Sequence, residues 1–309
     1  MFIPVIGAGS IGRRHFQNLH TLGVKTALLP WREFNASVFR RLGATGVVIA
    51  TETQVRLELV SLCAELGIPF YCEKPLAYDP ATVDEILNVA GPLAKRSMAG
   101  FMMRYHPAVK TLAETDLSTV YDASFGIGHD VRLWRKDWSF AGSYSARAEG
   151  GGVLLDLCHE LDLAHLLFPG LAEVVVLSLG HDSFPGVDFA TRVALAGQDV
   201  TATVAMDYLS PVSFRRITLR GTRLVVEFDL IAERYQIDEG QGPGLIDMAF
   251  DRNEMFLAAM RDFLHLVAGE SLSDARLAPR LDRVADTCRA VAKAWQMRRF
   301  VGKVEGDYP

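Results

Sequence analysis

The stretch Phe2-Ile3-Pro4-Val5-Ile6-Gly7-Ala8-Gly9-Ser10-Ile11-Gly12 decides the fold of the first part of the chain. An apolar run leads directly into the pattern G-x-G-x-x-G. In such a loop the first glycine permits a tight turn, the second lets the backbone approach a pyrophosphate, and the third lets helix and strand pack closely. Helix N–H groups then face the anion. The pattern predicts a phosphate-binding loop between a strand and a helix, with a purely structural glycine turn as the alternative.

Short apolar runs alternate with amphipathic stretches over the first third of the chain. We expect strands near 2–6, 24–29, 46–50, 68–72 and 97–101, and helices near 10–22, 35–42, 53–66 and 79–94. This rhythm is typical of a parallel sheet covered by helices. It predicts an α/β domain with a Rossmann-type doubly wound parallel sheet over residues 1–118.

The rhythm changes from residue 119 onward. A long helical stretch at 153–168 precedes β-branched or alternating runs at 201–208 and 216–229. Runs of this kind, joined by glycine-containing turns, are typical of antiparallel sheets. Two further helices are expected over 253–268 and 280–297. We predict a second α/β domain over residues 119–309, built on an open, mainly antiparallel sheet.

The composition is that of an ordinary globular protein. Of 309 residues, 50% are hydrophobic and 22% are charged, and the net charge is −5. This balance excludes disordered and low-complexity classes and argues against a nucleic-acid partner. The apolar start at 1–8 is too short to span a membrane, and the four cysteines form no C-x-x-C pair. We expect a cytoplasmic protein that binds neither nucleic acid nor membranes.

The second strand ends in Leu28-Leu29-Pro30-Trp31-Arg32-Glu33. In dinucleotide-binding folds an acidic residue here takes the ribose 2′-hydroxyl of NAD, and no carboxylate stands at the expected position. Arg32 suits a 2′-phosphate instead, and Trp31 can stack on adenine, which favours NADP. Glu33 leaves NAD open, and a plain solvated arginine is the structural alternative.

The tripeptide Glu73-Lys74-Pro75 follows the predicted strand at 68–72. Open α/β sheets bind ligands at the carboxyl ends of their strands. Pro75 restricts Lys74 to an extended backbone, so that its ammonium group can be aimed. An ordinary surface lysine is the alternative for the tripeptide alone.

Taken together, these segments resemble the glucose-fructose oxidoreductase and inositol dehydrogenase (Gfo/Idh/MocA) family. The resemblance covers nearly the whole chain and is carried by Gly7 to Gly12, Glu73-Lys74-Pro75, Gly100-Phe101, Arg104-Tyr105-His106-Pro107, the run from Gly150 to Asp162, and Asn253-Glu254-Met255-Phe256. It implies a bound NAD(P), a sugar-like small-molecule substrate, and a homodimer or homotetramer joined through the C-terminal sheet. The cofactor contacts that it and the loop pattern predict are Gly7, Gly9, Ser10, Ile11, Gly12, Trp31, Arg32, Ala50, Thr51, Glu73 and Lys74.

The predicted helix at 153–168 carries the candidate base. At about 100° per residue, Asp156, His159 and Asp162 fall on one stripe of that helix. The resemblance implies that His159 takes a substrate hydroxyl proton, that Lys74 hydrogen-bonds the oxygen, and that Asp156 orients His159 or binds a neighbouring hydroxyl. The glycine run at 150–152 is expected to leave room for a ligand. The alternative is an aspartate that favours the helix dipole and a core histidine.

A metal site is not predicted. Asp156, His159, Asp162 and His165 are ligand types spaced three residues apart. Their stripe spirals through about 180°, however, so one ion would meet only two of them.

The basic loop, residues 129–147, mixes arginines with tryptophans. Arginines offer bidentate contacts to carboxylate or phosphate groups, and tryptophans offer faces for sugar rings, which predicts an acidic or phosphorylated sugar. A solvated loop or a subunit contact is the alternative. The candidate substrate contacts are Arg104, Arg132, Trp134, Arg135, Tyr144, Asp156 and His159.

The chain departs from the family pattern at several positions. Glu52, Arg56 and Met102 replace the usual Pro, His and Asn, and the stretch 32–47 is too short for a helix plus an additional strand. We expect an NAD(P)-dependent oxidoreductase acting on a secondary hydroxyl or ketone of a sugar or sugar-derived acid. Two alternatives stay open: an NAD-retaining glycoside-cleaving enzyme of the same fold, as the resemblance implies for some family members, and an inactive dinucleotide-binding or sensor protein, which the departures permit.

Overall fold

The structure, a computed structural model, describes residues 1–134, 138–246, 248, 251–272 and 274–309. The chain separates into two compact units. The first comprises Met1–His106 and Asp251–Arg289, and the second comprises Pro107–Phe250 and Ala290–Pro309.

The first unit is built on a five-stranded parallel sheet. Its strands are β1 (Val5–Ile6), β2 (Leu28–Leu29), β3 (Val47–Ile49), β4 (Phe70–Cys72) and β5 (Met98–Ala99). They lie in the order β2-β1-β3-β4-β5, each parallel to its neighbour. Each strand is shorter than predicted but falls within the predicted run. Among the described residues no strand lies beyond β2, in agreement with the short stretch at 32–47.

Helices connect these strands. The connecting helices are α1 (Ser10–Thr21), α2 (Ala36–Phe39), α3 (Arg56–Leu66) and α4 (Pro80–Ala90), and α8 (Arg252–Ala268), from much later in the chain, joins the same unit. Local chemistry sets their ends. The Asp79 carboxylate accepts the Thr82 N–H at 2.8 Å and so caps α4, whose first residue is a proline. Gly67 ends α3 in the left-handed conformation.

Helix α8 completes the core of the first unit. Its buried residues Ala259, Met260 and Phe263 belong to one apolar cluster with Val5 of β1 and Val48 of β3. Burial of a side chain such as Phe263 stabilises the fold by about 1.5–3 kcal/mol relative to exposure. The predicted division into 1–118 and 119–309 therefore differs from the observed units, because the apolar face of α8 returns to the first sheet.

The second unit is built on a nine-stranded mixed sheet. Its strands are β6 (Val120–Gly128), β7 (Ala172–Gly180), β8 (Ala190–Ala196), β9 (Thr201–Asp207), β10 (Phe214–Gly221), β11 (Val225–Asp229), β12 (Arg234–Asp238), β13 (Gly244–Ile246) and β14 (Arg298–Lys303). They lie in the order β13-β12-β11-β10-β6-β9-β8-β7-β14. The pairs β6–β9 and β7–β14 are parallel, and the other pairs are antiparallel. The predicted fold class is confirmed.

The remaining helices are α5 (Pro107–Glu114), α6 (Val153–Asp156), α7 (His159–Leu167) and α9 (Leu281–Gln296). The prediction of one continuous helix over 153–168 is wrong. The chain leaves the helical path at Leu157, where φ is −107° and ψ is 24°. Tertiary hydrogen bonds hold both ends of α6: the N–H groups of Val153 and Leu154 donate to Asp188 at 2.9 and 3.0 Å, and the Asp156 carboxylate accepts from hydroxyls of other segments. Contacts of this kind place α6 independently of α7, which helix periodicity does not report.

Within the described part of the chain, no helix has the length and apolar character needed to cross a membrane.

Candidate active site

The glycine loop joins β1 to α1. Gly7 has φ of +109°, and a β-carbon there would collide with the carbonyl of Ala50. A β-carbon on Gly12 would collide with the Gly7 carbonyl oxygen, so these two glycines let strand and helix pack closely. Gly9 differs, because a β-carbon there would meet nothing within 4 Å. The second glycine therefore opens a space in front of the first turn of α1, where Ser10 and Ile11 lie.

This space fits a dinucleotide pyrophosphate. The first N–H groups of a helix have no intrahelical acceptor and favour an anion. Close by, Ala50 and Thr51 follow β3, and the Ala50 N–H donates to Ile6 at 2.8 Å. The Thr51 hydroxyl is buried and has no hydrogen-bond partner among the described residues, which leaves it for a ligand. The glycine loop can accept the pyrophosphate, and the Thr51 hydroxyl can hydrogen-bond the cofactor, so these groups of the first unit fit a bound NAD(P).

The adenosine side carries Trp31 and Arg32 in a short 3₁₀ turn directly after β2. The Trp31 ring stacks on Phe34, with ring centroids 5.4 Å apart. Arg32 is exposed beside it. Both residues thus lie at the end of the edge strand, where their roles toward adenine and a 2′-phosphate stay predictions.

The Glu73-Lys74-Pro75 turn is held by a buried ion pair. The pKa of Glu73 would rise through burial, but the hydrogen bond from His15 and the charges of His15, Lys74 and Arg56 hold it below its ordinary value. Because an ionised carboxylate only accepts, His15 Nε2 is the donor in its 2.7 Å bond to Glu73 Oε1. The second oxygen accepts the Lys74 N–H at 3.3 Å. Glu73 thereby fixes the backbone that carries Lys74, and its predicted contact with the cofactor stays a prediction.

Arg56 joins two strand ends, a role that sequence reasoning missed. Its guanidinium donates to the carbonyl of Thr51 at 2.9 Å and to the carbonyl of Pro75. The residue is buried, with 5% of its surface exposed. In the sequence, Arg56 stands out only because the family usually has histidine at this position. Its acceptors are backbone carbonyls, which every residue has, so these contacts could not be predicted from residue types. The peptide bond between Lys74 and Pro75 is cis.

Arg104 also lies in the first unit, in a 3₁₀ turn at Met102–Tyr105. It is buried, with 4% of its surface exposed. Its predicted contact with substrate stays a prediction.

In the second unit, Asp156 is the centre of a hydroxyl network. Its carboxylate accepts hydrogen bonds from Ser145 at 2.7 Å, from Tyr208 at 2.6 Å, and from Tyr144. Burial and the charge of Asp156 raise the pKa of Tyr208 well above its ordinary value, so Tyr208 remains a donor. His159 begins the separate helix α7 and is 6% exposed. The single stripe predicted for the two residues is therefore wrong, because α6 ends between them.

The glycine run before α6 is filled by the chain itself. A β-carbon on Gly151 would collide with the Arg147 carbonyl, and one on Gly152 with the Asp188 carboxylate. Asp188 is fully buried and is paired with Arg298. At Gly151 and Gly152 the close approach is thus to the protein's own atoms, and the expected room for a ligand is not found at these two positions.

The basic loop is described at residues 129–134 and 138–147, and Arg135 lies outside the described residues. Arg132 is paired with Asp130, with Nη2 to Oδ2 at 2.6 Å and Nε to Oδ1 at 2.9 Å. Trp134 packs on His129, with ring centroids 5.1 Å apart. Tyr144 is half-exposed and donates to Asp156. Arg132 therefore has a carboxylate partner already, which weakens it as a clamp for an acidic sugar.

Among the described residues, no group of three or more His, Cys, Asp or Glu side chains is arranged to hold a metal ion.

No protein-family model matches the sequence. The 2,7-anhydro-N-acetylneuraminate hydratase of Mediterraneibacter gnavus is 26% identical over 157 residues, which cover 50% of this chain and 41% of that protein. The myo-inositol 2-dehydrogenase of Thermotoga maritima is 27% identical over 230 residues, which cover 68% of this chain and 66% of that protein. The matched segments thus span less than two thirds of either relative's length.

The fold has many solved counterparts. Levoglucosan dehydrogenase, in complex with NADH and L-sorbose, superposes with a TM-score of 0.77 at 16% identity and covers 96% of this chain and 95% of that one. Other structures of this fold were solved with NAD+ or NADP. The order of motifs, the named sequence relatives and the two-unit fold agree. In its motifs, its named relatives and its fold, the chain is similar to the glucose-fructose oxidoreductase and inositol dehydrogenase (Gfo/Idh/MocA) family.

Proposed function

We propose that the protein is an NAD(P)-dependent oxidoreductase that acts on a secondary hydroxyl, or the matching ketone, of a sugar-like substrate. The observation that carries the proposal is an open pyrophosphate space at Gly9 together with a lysine after β4 whose backbone N–H donates to the Glu73 carboxylate. Named relatives that act on inositol and levoglucosan support the substrate class.

Each residue has a defined part in this proposal. Lys74 donates a hydrogen bond to the reacting oxygen and stabilises the negative charge that develops there. His159 accepts the hydroxyl proton during oxidation and returns it during reduction. Asp156 holds the hydroxyls of Tyr144, Ser145 and Tyr208 around this region of the second unit. The nicotinamide, when bound, supplies the hydride acceptor or donor.

We further propose NADP as the preferred cofactor. Exposed Arg32 at the end of β2 supports it, because a guanidinium pairs well with a 2′-phosphate. The cofactor also sets the first experiment, a titration of the protein with NADPH and separately with NADH. Quenching of tryptophan fluorescence and energy transfer to the reduced nicotinamide report binding. Binding of neither at millimolar concentration would refute the oxidoreductase proposal.

Turnover is then measured on a panel of myo-inositol, levoglucosan and D-glucuronate. Lys74→Ala should lower kcat by about 10²- to 10⁴-fold while leaving NADPH binding intact. His159→Ala should behave in the same way. The exposed Lys95→Ala is the matched control and should turn over at the wild-type rate. An active Lys74→Ala variant would contradict the mechanism.

A second candidate is an enzyme that retains its dinucleotide and catalyses no net redox change. The relative named as a hydratase favours it. Its signature is product formed from a glycoside without net reduction of added cofactor. Binding of cofactor without turnover of either kind would instead indicate a sensor protein.

We propose that a second copy of the chain covers part of the nine-stranded sheet. Adjacent strands β7 and β14 expose Val174, Leu177, Phe300 and Val301. Contiguous exposed apolar patches mark interaction surfaces, and these side chains lie on neighbouring strands. Light scattering tests the mass in solution.

The buried free cysteines support a reducing setting such as the cytoplasm.

A further inference from the structure

Residues 306–309, the tail segment, are bonded to the basic loop. The N–H groups of Phe140 and Ala141 both donate to the carbonyl oxygen of Pro309, at 2.8 and 3.3 Å. At the other end of the segment, the Gly306 carbonyl is 3.0 Å from His181 Nε2, which donates to it. The tail segment is therefore fixed at both ends.

The Tyr308 side chain anchors the segment between these bonds. Only 6% of the residue is exposed. Its ring meets Phe189 with centroids 4.8 Å apart, His181 at 5.4 Å and Phe140 at 6.2 Å, all in edge-to-face geometry. Such aromatic pairs stabilise beyond the area that they bury.

The same ring also contacts the charged part of the basic loop. The Arg132 guanidinium lies 5.2 Å from the Tyr308 ring centroid, in a cation–π arrangement. Asp130 holds the other side of that guanidinium. Arg132 is thus oriented by one residue of its own loop and by one residue of the tail segment.

The cluster continues to the Asp156 network. Phe140, which binds the tail segment, packs on Tyr208 with ring centroids 5.7 Å apart. Tyr208 in turn donates to Asp156 at 2.6 Å. Tail segment, basic loop and Asp156 therefore share one continuous set of contacts in the second unit.

We propose that the tail segment is a positioning element for substrate recognition, in which Tyr308 and Pro309 hold the described parts of the basic loop, residues 129–134 and 138–147, in the arrangement that contacts substrate. The proposal rests on the proposed function for the identity of the ligand, a sugar or sugar acid. It does not depend on that function for the coupling between tail segment and loop. Removing the Tyr308 ring should release the loop without changing the first unit, which carries the glycine loop.

Limited digestion of the full chain with trypsin tests the coupling directly, because the basic loop contains cleavable residues such as Arg132 and Arg147. Tyr308→Ala should be cut after Arg132 and after Arg147, which lie in the described parts of the basic loop, about tenfold faster than wild type. Tyr308→Phe, which keeps the ring, and the exposed Glu305→Ala should be cut at the wild-type rate. Fragment masses identify the cleavage sites. An unchanged rate in the loop, or equal acceleration throughout the chain, would overturn the proposal.

Kinetics test the consequence for recognition. Tyr308→Ala should raise KM for whichever of myo-inositol, levoglucosan and D-glucuronate turns over by about tenfold, with kcat and the Kd of NADPH unchanged. A lowered kcat with unchanged KM would count against a positioning role. If wild type binds neither dinucleotide, the proposed function fails, whereas the digestion result still decides whether the tail segment holds the loop.

Discussion

His15 donates a hydrogen bond to Glu73 inside the first unit, at 2.7 Å and out of contact with solvent. Helix α1 and the turn after β4 thereby share one buried ionic contact. Lys74 is the next residue along the chain, so the glycine loop and the candidate catalytic lysine are positioned by the same pair. A change at either partner should affect both stability and the lysine.

Glu73→Gln should lower the free energy of unfolding by about 3 kcal/mol at neutral pH. The substitution removes the buried negative charge that His15, Lys74 and Arg56 stabilise. The pKa of Glu73 is lowered in the folded chain, so its stabilising effect is present above the ordinary value of 4.5 and is lost as pH falls through the lowered pKa. The difference from wild type should therefore shrink in acid. Urea unfolding at several pH values measures it, with exposed Glu85→Gln as the control. A difference that is constant with pH would contradict the ionic role.

Gly9→Ala and Gly12→Ala form a matched pair in the glycine loop. Gly12→Ala places a methyl group against the Gly7 carbonyl and should cost about 1–3 kcal/mol of stability. Gly9→Ala meets no protein atom within 4 Å, so its melting temperature should match wild type. Its methyl group points into the pyrophosphate space and should raise the Kd of NADPH about tenfold or more. Equal binding by Gly9→Ala and wild type would place the dinucleotide elsewhere.

Asp156→Ala should destabilise the second unit by about 2–4 kcal/mol, since it leaves the buried hydroxyls of Ser145 and Tyr208 without their acceptor. Tyr144→Phe removes a donor on a half-exposed residue and should cost less than about 1 kcal/mol. Chemical denaturation gives both values. If Asp156→Ala were as stable as wild type while losing all turnover, Asp156 would be a reactive group and not the centre of a structural network.

His129 should make the fold less stable in mild acid. Burial lowers the pKa of its imidazole below 6.5, although Asp156, Asp207 and Asp130 oppose the shift and Arg215 adds to it. The unfolded chain takes up this proton first, so stability is lost as pH falls below the ordinary value. His129→Asn removes this group, and its melting temperature should fall less steeply between about pH 7 and about pH 5. Identical slopes would rule out this contribution.

The parallel sheet and the glycine loop could be predicted because their signals are local. A strand, three glycines and an amphipathic helix lie within residues 2–22, and each glycine has the packing role that its position in the pattern indicates, with Gly9 open and Gly12 filled. The lack of a further strand beyond β2 among the described residues could also be predicted, because the stretch 32–47 is too short to hold both a helix and a strand. Structure that depends on residues close together in the chain can therefore be predicted from short sequence patterns.

Long-range contacts could not be predicted in the same way. Helix α6 is held by Asp188 at its start and by the hydroxyls of Ser145 and Tyr208 at Asp156, and helix periodicity contains no sign of these contacts or of the break that follows. Arg56 binds backbone carbonyls, which every residue possesses. Helix α8 returns to a sheet whose last strand ends about 150 residues earlier in the chain, and its apolar face alone does not say which sheet it covers.

That return of α8 has a consequence for synthesis. The ribosome releases β1 to β5 long before Met260 and Phe263 exist, so the nascent first unit has an incomplete core until residue 268 has emerged. Most of the second unit, by contrast, is a contiguous insertion at Pro107–Phe250. Although units usually fold in the order in which they are made, the core that covers the N-terminal sheet of this protein is completed only when α8 has been made. A fragment ending at residue 118 will therefore emerge as an aggregation-prone intermediate rather than as a free-standing nucleotide-binding module.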